Sequence, residues 1–344
     1  MGIYKSMKIL IIQPWYGANS ARYITDAMEL CDAHIFRVGP RYGEHLGMVW
    51  GDSEMPKIDI ELPKEIDWNM DFLIDRAARE FRFIPDMVFI SEENYRNQIK
   101  NTEKIPSVFY SCDGWEKNYR RADMVKATFN YTNHPRGIRQ QPQKELPKGW
   151  SWLPGAALPS VHRYLGLERD IDFVLLATMY TERPRIIKEI ADAGFITKVG
   201  QVKTNEYVKI YNKSLCTLHN PGWFEVKWKW WEAAAMGCLL ISSYTPPLDW
   251  LNYRPWVHYV PVPAVETNDG PWPDSKKAIE IIRDIKNNRP FFQQIADAAR
   301  EHTIKHHSYY NRCKTVFIDL GFKEVAEKAQ EKIDGAWAEH LGQI

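Results

Sequence analysis

Hydrophobic residues in this chain form two patterns that alternate from one end to the other. Short runs that are mainly apolar, such as MKILIIQ (7–13) and DFVLLA (172–177), are typical of strands buried on both faces of a parallel sheet. Between such runs, segments such as ERPRIIKEIADAG (182–194) carry the spacing of amphipathic helices. The alternation predicts an α/β protein built from open, doubly wound sheets.

The alternation is interrupted once, by a segment dense in proline, glycine and tryptophan over residues 141–170. A chain of 344 residues has the length of about two domains. We therefore expect a Rossmann-like N-terminal domain over residues 1–165 and a Rossmann-like C-terminal domain over residues 166–320. A charged amphipathic helix is predicted within the last segment, 321–344.

Charge and cysteine usage exclude some classes of protein. The formal net charge is +1, so no global basic field indicates nucleic acid, although a local patch is compatible with that total. The five cysteines are scattered and have no CxxC spacing, which favours buried thiols in a reducing cytosol. The N-terminus has no signal-peptide pattern and no apolar run approaches ~18 residues, so we expect a cytoplasmic protein without a membrane span.

The stretch FEVKWKWWEAAAMGCLLISS (224–243) is the most informative in the chain. It predicts a helix that ends at Gly237 and leads into a buried strand. Glu225, Lys229 and Glu232 have the spacing of one helix face. One interpretation is that this face binds a ligand. The other is that Glu225 and Lys229 form an exposed ion pair worth ~0.2–0.5 kcal/mol.

Ligands of open α/β sheets bind beyond the carboxyl ends of the strands. In the second half, Thr181 and His219 lie at such ends, and Gly222 precedes the helix of the informative stretch, where a backbone can approach an anion. Arg183 stands at a helix start, against the dipole, which indicates either an anionic partner such as a diphosphate or an ordinary surface arginine.

In the first half, the ionisable groups at strand ends are Glu92, Glu93, Asp113 and His134. Any of them could be a general base. Asp113 ends an apolar strand, although an aspartate before glycine is also a common turn residue.

Motifs for other chemistries are weak or missing. Asp170 and Asp172 form a DxD, but they enter a strand directly after the Pro-rich segment, so we expect no metal there. The sequence contains no GxGxxG, Walker loop, GxSxG or HExxH, which removes most dinucleotide, NTPase, hydrolase and zincin interpretations.

Several segments together resemble a known family, the GT-B glycosyltransferases of the CgeB-like (spore maturation protein) group, related to glycosyltransferase family 4. The segments are IPSVFYSCDGW, WLPGAALPSVH, DIDFVLLATMYTERPRIIKEI, KWWEAAAMGCLLIS and IADAAREHTIKHHSYYNRCKTVF. The resemblance covers most of the second half and only patches of the first. The chain departs from the pattern at Lys229, where the family has arginine, at Trp231, where it has phenylalanine, and at Ala177 or Thr178, where it has glycine.

The resemblance implies two Rossmann-like domains that face each other across a cleft, with a C-terminal helix returning to the N-terminal domain. It implies transfer of a sugar from a nucleotide diphosphate sugar, a UDP-sugar first of all, without a metal ion or another cofactor. Glu232 would bind ribose, Arg183 and Lys229 the diphosphate, and Gly222 the phosphates through its backbone. Glu225, Thr181 and His219 complete the implied donor site.

The implied acceptor site lies in the N-terminal domain. Its expected members are Trp15, Tyr16, Gly17, Glu92 and His134. Asp113 would be the base of an inverting enzyme, whereas a retaining enzyme would need none.

The acceptor is left open between a saccharide or small-molecule hydroxyl and a hydroxymethylated base in phage DNA. A run of basic residues could bind DNA phosphates or be a solvated surface; its members are Lys104, Lys117, Arg120, Arg121, Lys126, Arg136 and Arg139. Two further functions are open: an inactive GT-B domain that binds a nucleotide sugar or a partner, and a nucleotide-sugar epimerase.

Overall fold

The computed structural model describes residues 6–15, 20–41, 57–63, 68–92, 99–100, 103–112, 126–135, 146–177, 179, 181–202, 204–220, 226–267 and 270–342. These residues form two compact units. The first unit comprises Met1–Leu46, Glu54–Pro154 and Tyr309–Gly335, and the second comprises Gly155–Ser308 and Ala336–Ile344.

The first unit is built on a seven-stranded sheet in which every described pair of neighbours is parallel. In chain order the strands of this unit are β1 (Lys8–Ile12), β2 (His34–Gly39), β3 (Ile60–Glu61), β4 (Trp68–Asn69), β5 (Met87–Glu92), β6 (Ile99–Lys100), β7 (Ser107–Ser111), β8 (Phe129–Thr132) and β9 (Trp150–Trp152). The order across the sheet is β3-β2-β1-β5-β7-β8-β9, while β4 and β6 form a separate short pair.

Burial explains the apolar runs of this sheet. Ile9, Leu10 and Ile11 are fully buried, as expected for a strand covered on both faces. Among the described residues, the helices of this unit include α1 (Ser20–Leu30) and α2 (Met70–Phe81). Helix α2 starts where the Asn69 side chain accepts the N–H of Phe72, and it ends at Arg82 in a left-handed conformation.

The second unit repeats the same plan. Its five-stranded parallel sheet has the order β11-β10-β12-β13-β14. The strands of this unit are β10 (Ile171–Leu176), β11 (Thr197–Gly200), β12 (Ser214–His219), β13 (Leu239–Ser242) and β14 (Val260–Pro261), with an antiparallel pair of β15 (Ala264–Thr267) and β16 (Gly270–Pro273). The helices from here to the C-terminus are α3 (Arg183–Asp192), α4 (Thr204–Asn212), α5 (Trp228–Ala235), α6 (Pro247–Trp250), α7 (Ser275–Asn287), α8 (Arg289–His306), α9 (Tyr309–Asp319) and α10 (Lys323–Leu341).

The predicted helix-to-strand stretch is confirmed. Helix α5 ends at Ala235, and Gly237 adopts the left-handed backbone, with φ +69°, that stops it. The N–H groups of Gly237 and Cys238 donate to Ala234 and Ala233, and the chain then enters the fully buried β13.

The Pro- and Gly-rich segment holds one element that the sequence did not predict. Residues Trp150–Trp152 form β9, a parallel edge strand beside β8. Helix α9 packs on α1 and thus belongs to the first unit, although it follows the second unit's helices in the chain. Among the described residues, no helix is long and apolar enough to cross a membrane.

Candidate functional site

A pocket lies at the carboxyl edge of the second unit's sheet, where β10 and β12 end and α3 and α5 begin. It is a shallow depression that is partly open to solvent. Its polar lining comes from Arg183, Thr217, His219, Asn220, Lys227 and Lys229. The position is the one where open α/β sheets bind ligands.

Three of the lining residues are cations at helix starts. Arg183 is the first residue of α3, Lys227 is the N-cap of α5, and Lys229 lies in the first turn of α5. Neither helix start has a side-chain cap. The helix dipole disfavours a cation at such a position by ~0.3–1 kcal/mol and favours an anion. The arrangement therefore has the charge and the helix-start position of an anion site.

The pKa of Lys229 reflects its burial and the two neighbouring cations. Burial, with contributions from Arg183 and Lys227, lowers the pKa of its ammonium from 10.5 to about 7, although Glu232 acts in the opposite direction. The ammonium donates to the carbonyl of Leu176, at the end of β10. A bound anion would relieve the repulsion among the three cations.

His219 is the neutral polar group of the pocket. Its ring is buried and stands edge-on to the ring of Trp230, with 4.9 Å between centroids. Burial, together with Lys227 and Arg183, lowers the pKa of the imidazole to about 3. Within the described part of the chain, neither ring nitrogen has a hydrogen-bond partner, so both remain available to a ligand.

Glu232 lies one turn further along α5 and is 4% exposed. It accepts a hydrogen bond of 2.6 Å from the hydroxyl of Tyr207, and Nε2 of His162 lies 3.4 Å from its other carboxylate oxygen. The face predicted from the spacing is thus real for Lys229 and Glu232, but Glu232 is held inside the protein and not on a solvated surface. Glu225 lies outside the described residues.

Thr181, in the connection from β10 to α3, has φ +54°. A β-branched residue in this left-handed conformation is strained by about 1–3 kcal/mol, and such strain concentrates at binding sites. It precedes Arg183 by two residues and fixes the approach of the chain to α3.

The residues predicted for the acceptor lie in the first unit. Trp15 is 1% exposed and its indole N–H donates to Val38, so its ring belongs to the core. His134 is fully buried, and its backbone N–H donates to Thr132. Glu92 is the last residue of β5. Asp113, Tyr16 and Gly17 lie outside the described residues, as does Gly222 of the predicted donor site.

The DxD aspartates and the described members of the basic run form ion pairs in the structure. Asp170 pairs with Lys213 at 3.0 Å, and buried Asp172 pairs with Lys286 at 2.8 Å, so the two aspartates of the DxD contact different lysines.

Of the proposed DNA-binding cations, Lys104 and Lys126 pair with Asp71 and Glu103 on an exposed surface. The remaining members lie outside the described residues.

The sequence did not reveal Lys227, Tyr207 and His162, which the fold brings to the pocket or to Glu232. It also missed Gln13, which follows β1 and is 1% exposed. Neither side-chain atom of Gln13 has a hydrogen-bond partner among the described residues. A single glutamine directly after the apolar residues of β1 was the signal that could have found it.

Comparison with known proteins agrees with this picture. Residues 167–317, most of the second unit, match a family described as glycosyl transferase-like. No curated protein matches the chain.

Solved structures match nearly the whole chain at low identity. HepE from Anabaena in complex with UDP and glucose is 11% identical with a TM-score of 0.58, over 92% of this chain and 99% of that one. An alpha-glucosyltransferase in complex with UDP and a 13-mer DNA containing an HMU base is 10% identical with a TM-score of 0.57, over 92% and 100%. WaaG, a glycosyltransferase of lipopolysaccharide biosynthesis, is 12% identical with a TM-score of 0.55, also over 92% and 100%. The chain therefore has the GT-B fold.

Proposed function

We propose that this protein is a glycosyltransferase that moves a sugar from a UDP-sugar to an acceptor hydroxyl, and that it belongs to the CgeB-like group of GT-B enzymes. The observation that carries the proposal is the cluster of Arg183, Lys227 and Lys229 at two uncapped helix starts, with the pKa of Lys229 lowered to about 7. The family match over residues 167–317 supports it, as do the matched structures that contain UDP.

The cluster suits a diphosphate. Sugar transfer breaks the bond between the sugar and the β-phosphate, so negative charge grows on the leaving diphosphate. Three cations and the N–H groups at the starts of α3 and α5 would stabilise that charge without reorganising. With the charge neutralised in this way, we expect turnover to need no divalent metal ion.

His219 in the pocket, and Glu232 one turn beyond Lys229 on α5, would bind the rest of the donor. Glu232 would accept hydrogen bonds from the ribose hydroxyls, and His219 offers a neutral ring nitrogen to a hydroxyl or a phosphate oxygen. Thr181, Gly222 and Glu225 stay predicted members of this donor site.

The acceptor site is proposed in the N-terminal unit, near the loop after β1 and near Asp113. Its predicted residues remain Trp15, Tyr16, Gly17, Glu92, His134 and Asp113. Two acceptor classes have support among the matched structures: WaaG is involved in lipopolysaccharide biosynthesis, and the alpha-glucosyltransferase forms a complex with HMU-containing DNA. All five cysteines are buried and free, which suits a reducing compartment, and we propose the cytoplasm of a bacterium or of a phage-infected cell.

Titration calorimetry with UDP, UMP and uridine tests the donor site. If the cluster binds the diphosphate, UDP binds at least about tenfold more tightly than UMP, and uridine binds weakest. Lys227→Ala should lower the affinity for UDP and leave the affinity for uridine unchanged. Lys276→Ala is the matched control, because it removes an exposed lysine from the first turn of α7. Equal affinity for UDP and uridine would contradict the proposal.

The two other functions predict different turnover. An inactive domain binds the nucleotide sugar but releases no UDP, and an epimerase changes the donor sugar without any acceptor. Product analysis by mass spectrometry and NMR separates the three.

A further inference from the structure

A second cavity lies in the second unit, at the opposite edge of its sheet from the candidate donor site. Its volume is about 430 Å³, within the ~300–1,000 Å³ that is usual for small-molecule sites. Leu215 and Leu239, near the starts of β12 and β13, line this cavity, whereas His219, at the end of β12, lines the donor site. About 13 Å of strand separates Leu215 from His219, so the cavity is a separate site.

The walls of the cavity are apolar. Six of the side chains that line it are hydrocarbon: Leu167, Leu215, Leu239, Ile285, Phe292 and Ala296. Leu239, Ile285 and Ala296 are at most 2% exposed and form the inner part, whereas Leu167 is 37% exposed and lies at the mouth. An exposed apolar mouth that continues into a buried apolar wall fits a hydrocarbon chain that enters from solvent.

The mouth of the cavity also carries a cation at a helix start. Arg289 lines the cavity, is exposed, and is the first residue of the 18-residue helix α8. Its described hydrogen bond goes to a carbonyl and not to a carboxylate, from Nη1 to the oxygen of Arg169 at 3.3 Å. The N-cap, Asn288, makes no side-chain hydrogen bond to the helix. The helix dipole favours an anion at this position and thus adds to the charge of Arg289.

Two other polar side chains of the lining are engaged within the protein. Arg169 donates from its guanidinium to the carbonyl of Gly237 at 2.6 Å, so it closes the turn after α5. Gln293 donates its side-chain amide to the carboxylate of Asp297 at 2.8 Å. Arg289 is therefore the cation that is placed to bind the charged group of a ligand.

We propose that this cavity binds a single-chain amphiphile with an anionic head, whose chain lies against the apolar walls and whose carboxylate or phosphate binds Arg289 and the start of α8. A free fatty acid and an anionic phospholipid share this chemistry. Because the cavity lies at the amino ends of the strands, the amphiphile is a ligand in addition to the sugar donor. The inference does not depend on the proposed function.

Calorimetry with decanoate, decylammonium and decanol, each below the concentration at which it forms micelles, tests the inference. Decanoate should bind at least about tenfold more tightly than decylammonium, because its head group is attracted to Arg289 and the ammonium is repelled. In the series from hexanoate to decanoate, each added methylene should raise the affinity about fourfold, because the chain is buried.

Variants at the mouth and in the wall test the two halves of the ligand separately. Arg289→Ala should lower the affinity for decanoate about tenfold and leave the affinity for decanol unchanged. Arg283→Ala is its matched control, because it removes an exposed arginine of α7 that lies outside the lining. Ala296→Met fills the cavity from α8 and should lower the affinity for decanoate and decanol at least about tenfold. Ala298→Met, on the same helix but outside the lining, should not.

Cosedimentation with vesicles separates the two sources of the amphiphile. Binding to phosphatidylglycerol vesicles and not to phosphatidylcholine vesicles, lost in Arg289→Ala and kept in Arg283→Ala, would assign a membrane lipid. Decanoate binding without vesicle binding would assign a free amphiphile.

The proposal is overturned if the folded wild-type protein does not bind decanoate, if decanoate and decylammonium bind equally, or if the affinity does not depend on chain length. UDP binding by the same sample shows separately whether the proposed function holds. Arg289 is exposed, so its variant decides the matter if Ala296→Met does not fold.

Discussion

Lys229 illustrates how a single residue can report on the whole pocket. Burial and the neighbouring Arg183 and Lys227 lower the pKa of its ammonium to about 7, so this group titrates near neutral pH. An anionic ligand favours the protonated ammonium and therefore raises its pKa on binding. The affinity for an anionic donor must then depend on pH in a defined direction.

We expect the protein to bind UDP-glucose most tightly when the ammonium of Lys229 is protonated. Affinity should be constant well below pH 7 and should fall by up to about tenfold per pH unit as the pH rises above 7. UDP-glucose is preferred to UDP here because it lacks the phosphate group that titrates near pH 6. Calorimetry between pH 6 and 9 provides the measurement.

Lys229→Arg is the matched variant, because arginine stays charged over this range. Its affinity for UDP-glucose should change little between pH 6 and 9. A wild-type affinity that does not depend on pH would show that Lys229 does not contact the diphosphate.

His219 carries two ring nitrogens that are buried without a partner among the described residues, which costs about 1–3 kcal/mol in the free protein. His219→Leu should therefore leave the melting temperature unchanged or higher, while it weakens UDP-glucose binding. Thermal unfolding and calorimetry on the same sample check both parts. A lower melting temperature with unchanged affinity would assign His219 a purely structural role.

Part of the site was predictable at the residue scale because helical spacing is local. The spacing of Lys229 and Glu232 placed them on one face, and the helix start placed Arg183 against the dipole. His162 and Tyr207 were not predictable, because they reach Glu232 only when segments 70 and 25 residues distant in the chain come together. The spacing of Lys229 and Glu232 also could not show that Glu232 is buried, since burial depends on the packing of the whole unit.

The start of α5 depends on one close approach between elements. A Cβ on Gly155 would lie 3.1 Å from three atoms of Trp228, two of them backbone. Gly155→Ala should destabilise the protein by about 1–3 kcal/mol and weaken UDP binding, because α5 carries Lys229 and Glu232. Urea unfolding gives the first quantity and calorimetry the second; wild-type values for both would contradict the packing described here.

Gly335 offers the opposite case within α10. A Cβ there would meet no atom within 4 Å, and the residue has no positive φ. Gly335→Ala should stabilise the protein by about 0.5–1 kcal/mol, because alanine loses less backbone freedom in a helix. A melting temperature below wild type would mean that this glycine has a role beyond helix geometry.

Elements were predictable where the pattern was long. The mainly apolar runs MKILIIQ and DFVLLA contain β1 and most of β10, and the amphipathic segment 182–194 contains α3. The sequence missed β9, because a three-residue edge strand in a Pro- and Gly-rich segment has no periodicity to detect. Its pairing with β8 comes from tertiary structure alone.

At the scale of the whole molecule, two units with parallel sheets give a GT-B fold. The sequence predicted this architecture because strands and helices alternate along both halves of the chain, with one interruption between the halves. The acceptor residues stay predictions, since most were expected on loops, where no periodicity constrains position. The proposed domain bounds at residues 165 and 320 are likewise predictions from composition.

Metal independence also concerns the reaction as a whole. If Arg183, Lys227 and Lys229 neutralise the leaving diphosphate, UDP release should be unchanged in the presence of EDTA. The wild-type protein assayed with and without added Mg²⁺ gives the comparison. Loss of turnover in EDTA that Mg²⁺ restores would show that the cations do not suffice.

The most direct test of the central claim is the release of UDP from a panel of UDP-sugars, measured with and without candidate acceptors of the saccharide and hydroxymethylated-DNA classes. We predict that one donor is turned over, that one acceptor accelerates UDP release and becomes glycosylated, and that Lys229→Ala lowers the rate by at least about tenfold. Binding of UDP with no donor turned over under any of these conditions would contradict the assignment as a glycosyltransferase.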